Sequence, residues 1–229
     1  MSETPILFYM PGACSLAAIV VFEYTGRPYR LCRMDHEQLH EDAYLRVNPQ
    51  GKVPALREGD FVLAENGAVL PRIARGRDDL LPPDGTDERD RANQWMSFLA
   101  SGFHTAFGPI YGPRRYLADA SLDGALKEGA RAQIARHMDF LNDRLESRDY
   151  VLGAKRTLLD PYLYALSRWT KSLFDVPSRY PAVAAHQARM EATEEVRFAL
   201  AIEAEGEGRS PSGAFEGHVP VEDATAGLG

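Results

Sequence analysis

The stretch Tyr9-Met-Pro-Gly-Ala-Cys-Ser-Leu-Ala17 places a cysteine, Cys14, after an apolar run and a Pro-Gly turn, at the start of a helix-length apolar segment. A thiol in the first turn of a helix faces backbone N–H groups without intrahelical partners and the positive end of the dipole, both of which favour its thiolate. Position therefore makes Cys14 a candidate nucleophile; the other reading of a lone cysteine here is a small buried hydrophobe. Dithiol oxidoreductases open such a helix with Cys-x-x-Cys, whereas the fourth residue here is Ala17. Redox chemistry at Cys14 must then draw its second sulfur from a small diffusible thiol.

A second group with chemical potential is the row Ser97, Ser101, His104 and Gly108, at helical steps of four, three and four. This small, polar row lies off the apolar stripe of its own segment and suits a cleft wall, where an imidazole can hydrogen-bond or relay a proton. A histidine on a helix also serves in packing or sits in solvent. His36 and His40 share the i, i+4 spacing of some metal sites, but no third ligand accompanies them, so a solvated face and no metal are expected. Thr157 and Asp160 form a capping box. Arg156 and Pro161 stand where a staple usually has apolar partners, which predicts a weak cap. Arg114 and Arg115 fit either an attraction for anions or a polar helix end.

The elements that position these groups follow from local pattern. Residues 5–10 read as a buried strand, and Ser15 to Thr25 as a helix stopped by Gly26. Residues 27–34 read as a second strand, Asn48 to Leu56 as a turn leading into a third, and Phe61 to Asn66 as its hairpin partner. A helix with Pro71 inside it completes a small three-layer α/β domain over residues 1–76. A charged, Pro- and Gly-rich linker occupies 77–86, and residues 87–205 read as all-helical. Trp95, Phe98, Leu99, Phe103, Ala106, Phe107 and Ile110 form one stripe there, and Ile134, Met138, Leu141 and Leu145 another. The tail 206–229 holds six of 19 glycines and few large apolar groups, so it is expected to lie outside the core, mobile or on a neighbour's surface.

With 229 residues, 45% hydrophobic and 26% charged, the chain reads as an ordinary globular protein. Its formal charge of -7 argues against nucleic acid as the main partner. The N-terminus lacks a signal-peptide pattern and no run is long enough to span a bilayer, so a cytoplasmic location with no membrane partner is expected. In a reducing compartment a structural disulfide between Cys14 and Cys32 is not expected, and Cys32 reads as packing.

The ordered motifs resemble the cytosolic glutathione S-transferase family, most closely its bacterial beta class, over residues up to about 204. Tyr9 to Ser15 meets Y-x-P-G-A-C-S, Asn48 to Leu56 meets N-P-x-G-x-V-P-A-L, His104 to Pro109 meets H-x-x-F-x-P, and Thr157 to Leu163 with Arg168 and Trp169 meets the late T-x-x-D-x-x-L … R-W. The resemblance implies a thioredoxin-like domain followed by a helical bundle, a homodimer, and glutathione as cosubstrate in a cleft between the domains. It implies a cis Val53–Pro54 bond that exposes the Val53 backbone to the cysteinyl part of glutathione. Glu65 would take the γ-glutamyl ammonium and the helix start at Asn66 its carboxylate; the alternative is that both merely cap the helix. Tyr9, Ser15 and Ser101 are further glutathione contacts, and Cys14 and His104 are the catalytic pair. Phe107, Tyr111, Tyr116 and Trp169 would form the wall for a hydrophobic or electrophilic second substrate, or else pack a core. Asn66, where Ser or Gly is usual, and Thr105, where Lys is frequent, depart from the family pattern. The implied activity is glutathione transfer to an electrophile or disulfide, with Cys14 able to form a mixed disulfide or else with Cys14, Ser15 or Tyr9 only hydrogen-bonding glutathione for conjugation. The alternatives are a silent glutathione or apolar-ligand carrier, an interaction protein, or a specialised lyase, isomerase or dehalogenase on the same fold.

Overall fold

The computed structural model describes residues 3–228. Its contacts divide into two units, Pro82–Arg189 and a second made of Met1–Leu81 with Met190–Gly229. Residues 190–205, expected with the helical part, therefore join the sheet-containing unit, as does the tail.

That unit is built on a sheet of order β4-β3-β1-β2-β5. Strand β1 (Ile6–Tyr9) runs parallel to β2 (Tyr29–Arg33) and antiparallel to β3 (Ala55–Glu58), which pairs antiparallel with β4 (Phe61–Ala64). Helix α1 (Leu16–Thr25) is apolar all round, so it must be walled on every side, and Leu16 to Tyr24 are all buried. It packs against α3 (Asn66–Ile73), which follows the short α2 (Asp42–Leu45) in chain order, and against the helix Glu194–Glu205. Its end is the expected one: Gly26, at φ 65, donates its N–H to Phe22 O. On the other sheet face Phe8, Cys32, Met34, Leu39, Tyr44, Val47 and Ala55 form a separate core. Burial, with the Glu222 carboxylate adding to it, pushes the Cys32 thiol up to about 12, which suits a packing residue.

The tail overturns the expectation that it lies outside the core. After Gly206 closes the last long helix at φ 77, the chain returns as β5 (Phe215–His218), parallel to β2. Tyr29 pairs with Phe215 and Leu31 with His218, so β5 spends one extra residue over the same span. Gly217, at φ 99, absorbs that bulge, and Phe215 and His218 both reach rings of the same core: Phe215 lies on Tyr29 and Phe198, and His218 on Tyr9. Val219, Val221 and Ala224 then enter the core on the opposite face. Polar contacts hold this strap too. The buried Glu23 carboxylate of α1 accepts from Tyr29 Oη (2.6 Å), Ser210 Oγ (2.9 Å), Ser212 N (3.0 Å) and Ser212 Oγ (2.7 Å). Burial, and then the adjacent Glu23 charge, push the Tyr29 phenol up, which keeps it a donor. Arg57 donates to the Ala224 carbonyl at 2.8 Å.

In the helical unit, α4 (Asp87–Ser97) begins with Thr86 accepting from Arg89 N, and Asp87, Glu88 and Asp90 complement its dipole. It continues as a π-helical segment, Phe98–Phe103, in which the His104 N–H reaches back to Leu99 O. The Ser101 hydroxyl donates to Ser97 O and the Thr105 hydroxyl to Ser101 O. The long helix Asp123–Leu145 buries Ile134, Met138, Leu141 and Leu145, as its stripe predicts. The capping box is stronger than expected. Buried Asp160 accepts from Thr157 N (2.7 Å) and Thr157 Oγ1 (3.2 Å), and also from Val151 N (2.8 Å), with His186 Nε2 at 3.2 Å. These remote partners replace the missing apolar staple.

The strap contacts predict that Glu23→Ala, which leaves the buried Tyr29 hydroxyl and the strap donors of Ser210 and Ser212 without their acceptor, lowers stability by about 2–4 kcal/mol in urea unfolding. Glu23→Gln keeps one acceptor oxygen and is expected to lose about half of that.

Candidate active site

Cys14 immediately precedes Ser15, the N-cap of α1. The loop before it is closed on itself: Ala13 N donates to Met10 O (3.1 Å), and Ser15 Oγ both accepts from Met10 N (3.2 Å) and donates to Met10 O (3.3 Å). The Cys14 side chain is nearly covered, with its Sγ 3.7 Å from the Val53 carbonyl. Asn66 Nδ2 donates to Cys14 O at 3.1 Å and so ties the thiol loop to the start of α3.

The Val53–Pro54 bond is cis. The turn leading to it is pinned through the Lys52 carbonyl, which accepts from Tyr44 Oη (2.6 Å) and Asn48 Nδ2 (2.7 Å). Gly51 is required twice over: its φ is +60, and a Cβ there would lie 2.9 Å from Leu39 O. Sequence reasoning missed Tyr44, because a tyrosine in a short, irregular helix gives no local sign that its hydroxyl closes a turn eight residues on.

Glu65 holds φ 71, ψ 127, a conformation costly for a residue with a side chain. It is also exposed and makes no side-chain cap to α3. Asn66 spends its amide N–H on Cys14 O, and its buried Oδ1 has no hydrogen-bond partner among the described residues. The capping alternative is thus overturned for both residues. What results is an exposed carboxylate beside a helix start, next to the loop of a thiol.

Two expected glutathione contacts are corrected by their burial. Ser15 is fully buried, and its hydroxyl is spent on both polar groups of the Met10 backbone. Tyr9 is also fully buried; its hydroxyl lies 3.0 Å from His218 Nε2 and donates to Ile202 O at 3.4 Å. Burial pushes the Tyr9 phenol up against the opposing pull of Arg33, so it stays protonated.

The remaining candidates belong to the helical unit. His104, Phe107, Tyr111 and Trp169 form one aromatic cluster: Trp169 is 5.3 Å from His104, 5.2 Å from Phe107 and 5.8 Å from Tyr111, centroid to centroid. His104 Nδ1 lies 3.4 Å from Tyr162 Oη. Tyr116 lies against Gly108, the residue after Phe107, its hydroxyl occupying the space a Cβ there would need. Phe107 is buried and Tyr111 and Tyr116 are exposed, so the cluster presents an apolar face on a packed base. Ser101 is exposed, with its hydroxyl donating to Ser97 O. A separate cavity of about 490 Å³ in this unit lies among Arg91, Trp95, Phe98, Phe140 and Arg144, and none of the expected second-substrate residues lines it. Among the described residues no His, Cys, Asp and Glu group is arranged to hold a metal, and no helix is long and apolar enough to cross a membrane.

Residues 3–75 match the family model "Glutathione S-transferase, N-terminal domain". Glutathione S-transferase GST-4.5 of Xanthomonas campestris pv. campestris is 33% identical over 204 residues, 86% of this chain and 98% of that protein. A sphingomonad glutathione S-transferase solved in complex with glutathione is 32% identical and superposes with a TM-score of 0.78, covering 87% of this chain and 99% of the other. A bacterial beta class enzyme from Sphingomonas chungbukensis is 33% identical with a TM-score of 0.77, over 87% and 98% of the two chains.

The geometry of the turn before Val53 predicts a graded outcome for two glycines. Gly59, at φ +62, has open space around a would-be Cβ, so Gly59→Ala is expected to cost about 1 kcal/mol from backbone strain alone. Gly51→Ala adds the contact with Leu39 O and is expected to cost roughly 1–3 kcal/mol more, measured by thermal or urea unfolding.

Proposed function

The chain belongs to the glutathione S-transferase family, and from that membership we propose that it holds glutathione along Val53, Glu65 and Asn66 with the sulfur beside Cys14. The observation that carries this reading is the convergence, within one unit, of the cis Val53–Pro54 bond, the Cys14 loop and the exposed Glu65 at positive φ. The Val53 backbone offers strand-like pairing to the cysteinyl residue of the tripeptide. The Glu65 carboxylate accepts from the γ-glutamyl ammonium, and the first amides of α3 receive its carboxylate. The resemblance to the beta class supports the same placement.

The bound thiolate attacks an electrophilic carbon and displaces its leaving group, or attacks a disulfide sulfur. The cluster of Phe107, Tyr111, Tyr116 and Trp169 supplies the apolar surface for such a substrate, and His104 is its hydrogen-bonding and proton-handling side chain. Cys14 itself exchanges with oxidised glutathione: its thiolate attacks one sulfur, a new S–S bond forms as the old one breaks, and a glutathione thiolate leaves. The family resemblance also supports a homodimer, which sedimentation would measure, and a cytoplasmic, detoxifying role.

Intact-mass measurement after incubation with oxidised glutathione tests the covalent route. One glutathione adduct is expected on the wild type and none on Cys14→Ala, because Cys32 is fully buried; an adduct that survives in the variant would overturn the assignment. Steady-state kinetics with an aryl halide test the binding roles. Glu65→Gln is expected to raise KM for glutathione by about tenfold with kcat little changed, the effect of one charge-assisted hydrogen bond. His104→Ala should instead lower kcat, and an unchanged kcat would remove His104 from the mechanism.

A further inference from the structure

Tyr9 ends β1 at the point where the chain leaves for the Cys14 loop, and its hydroxyl meets the C-terminal strap at His218 Nε2, 3.0 Å away. The two rings lie 5.9 Å apart, and Phe215 braces His218 edge-on at 5.3 Å. From Tyr9 the connection to the thiol is short and stiff. The Tyr9 carbonyl is held by Met34 N (2.8 Å), the next residue, Met10, has both backbone polar groups held by Ser15 Oγ, and Ser15 adjoins Cys14.

We propose that His218 is a positioning residue, which through Tyr9 fixes the end of β1 and thereby the presentation of the Cys14 thiol. The proposal rests on Cys14 as the reactive group and adds the strap to what controls it. The protonation of the pair is consistent with this role. Burial and the nearby Arg33 hold the His218 imidazole below its ordinary range, so at neutral pH the ring is uncharged and its Nε2 shares a hydrogen bond with the Tyr9 hydroxyl. Because Cys14 is nearly covered, its reaction with an external reagent requires the loop to open, and the reaction rate reads how firmly the loop is held.

The test labels the full-length protein with 4,4′-dithiodipyridine, a neutral aryl disulfide, and follows Cys14 and Cys32 separately by peptide mass mapping. His218→Leu and Tyr9→Phe are each expected to speed Cys14 labelling about three- to tenfold, the factor one hydrogen bond is worth. The double variant should be no faster than the faster single variant, because both remove one interaction. His218→Gln, whose amide can still donate to or accept from the Tyr9 hydroxyl, should stay within about twofold of wild type. Cys32, which lies under Val219, Val221 and Ala224, should remain protected throughout. An unchanged Cys14 rate, additive single effects, or Cys32 labelling that rises in step with Cys14 would overturn the proposal, the last because it reports detachment of the strap. No glutathione enters this assay, so a failed glutathione adduct with an intact labelling pattern would overturn the glutathione reading and leave this one standing.

Discussion

Helix α1 carries Cys14 at its start, and its residues from Leu16 to Tyr24 are all buried, with the Glu23 carboxylate among them. A carboxylate in that position is tolerable only if every lone pair it turns inward meets a donor. One donor comes from β2, as Tyr29 Oη, and the others come from Ser210 and Ser212 at the start of the strap. The strap and the thiol-bearing helix are thus mutually dependent. The strap orders against a buried charge, and the charge is acceptable because the strap is there.

The same dependence extends to the sheet. Without β5, β2 would be an edge strand with unpaired backbone groups and an uncovered core around Cys32 and Tyr44. A fifth strand added in parallel satisfies the edge, and the bulge at Gly217 lets so short a strand turn both the half-buried Phe215 and the exposed His218 toward rings of the same unit, Tyr29 and Tyr9. The chain then crosses over, so that Val219, Val221 and Ala224 close the other face. Few apolar residues are needed because each one is spent on a surface the rest of the unit has already built.

That economy explains what was legible in the sequence and what was not. Strand β1, helix α1 with its stop at Gly26, and the β3–β4 hairpin at Gly59 announce themselves through local apolar density and turn chemistry. The Cys14 loop and the turn at Val53 are legible as motifs, since their glycines and prolines act through the backbone. The strap is not, because its apolar residues follow neither helical nor strand period once a bulge intervenes, and glycine content mimics a disordered tail. The burial of Tyr9 and Ser15 was likewise illegible: a hydroxyl near a reactive thiol looks the same in sequence whether it faces a ligand or a neighbouring backbone. The Thr157 and Asp160 cap looks weak in sequence because the contacts that support Asp160, with Val151 and His186, lie 9 and 26 residues away.

The π-helical segment is the other feature that local pattern did not show, and it bears directly on His104. Each residue of an α-helix turns by about 100°, so one extra residue in a turn re-aims everything that follows. The row Ser97, Ser101, His104, Gly108 presupposes an unbroken helix; the His104 N–H instead reaches five residues back, to Leu99 O. In this wide turn the Ser101 and Thr105 hydroxyls donate to carbonyls of the preceding turn. His104 therefore meets Trp169 and Tyr162 by virtue of a local expansion, and its neighbours are set by that wide turn as much as by its own place in the chain.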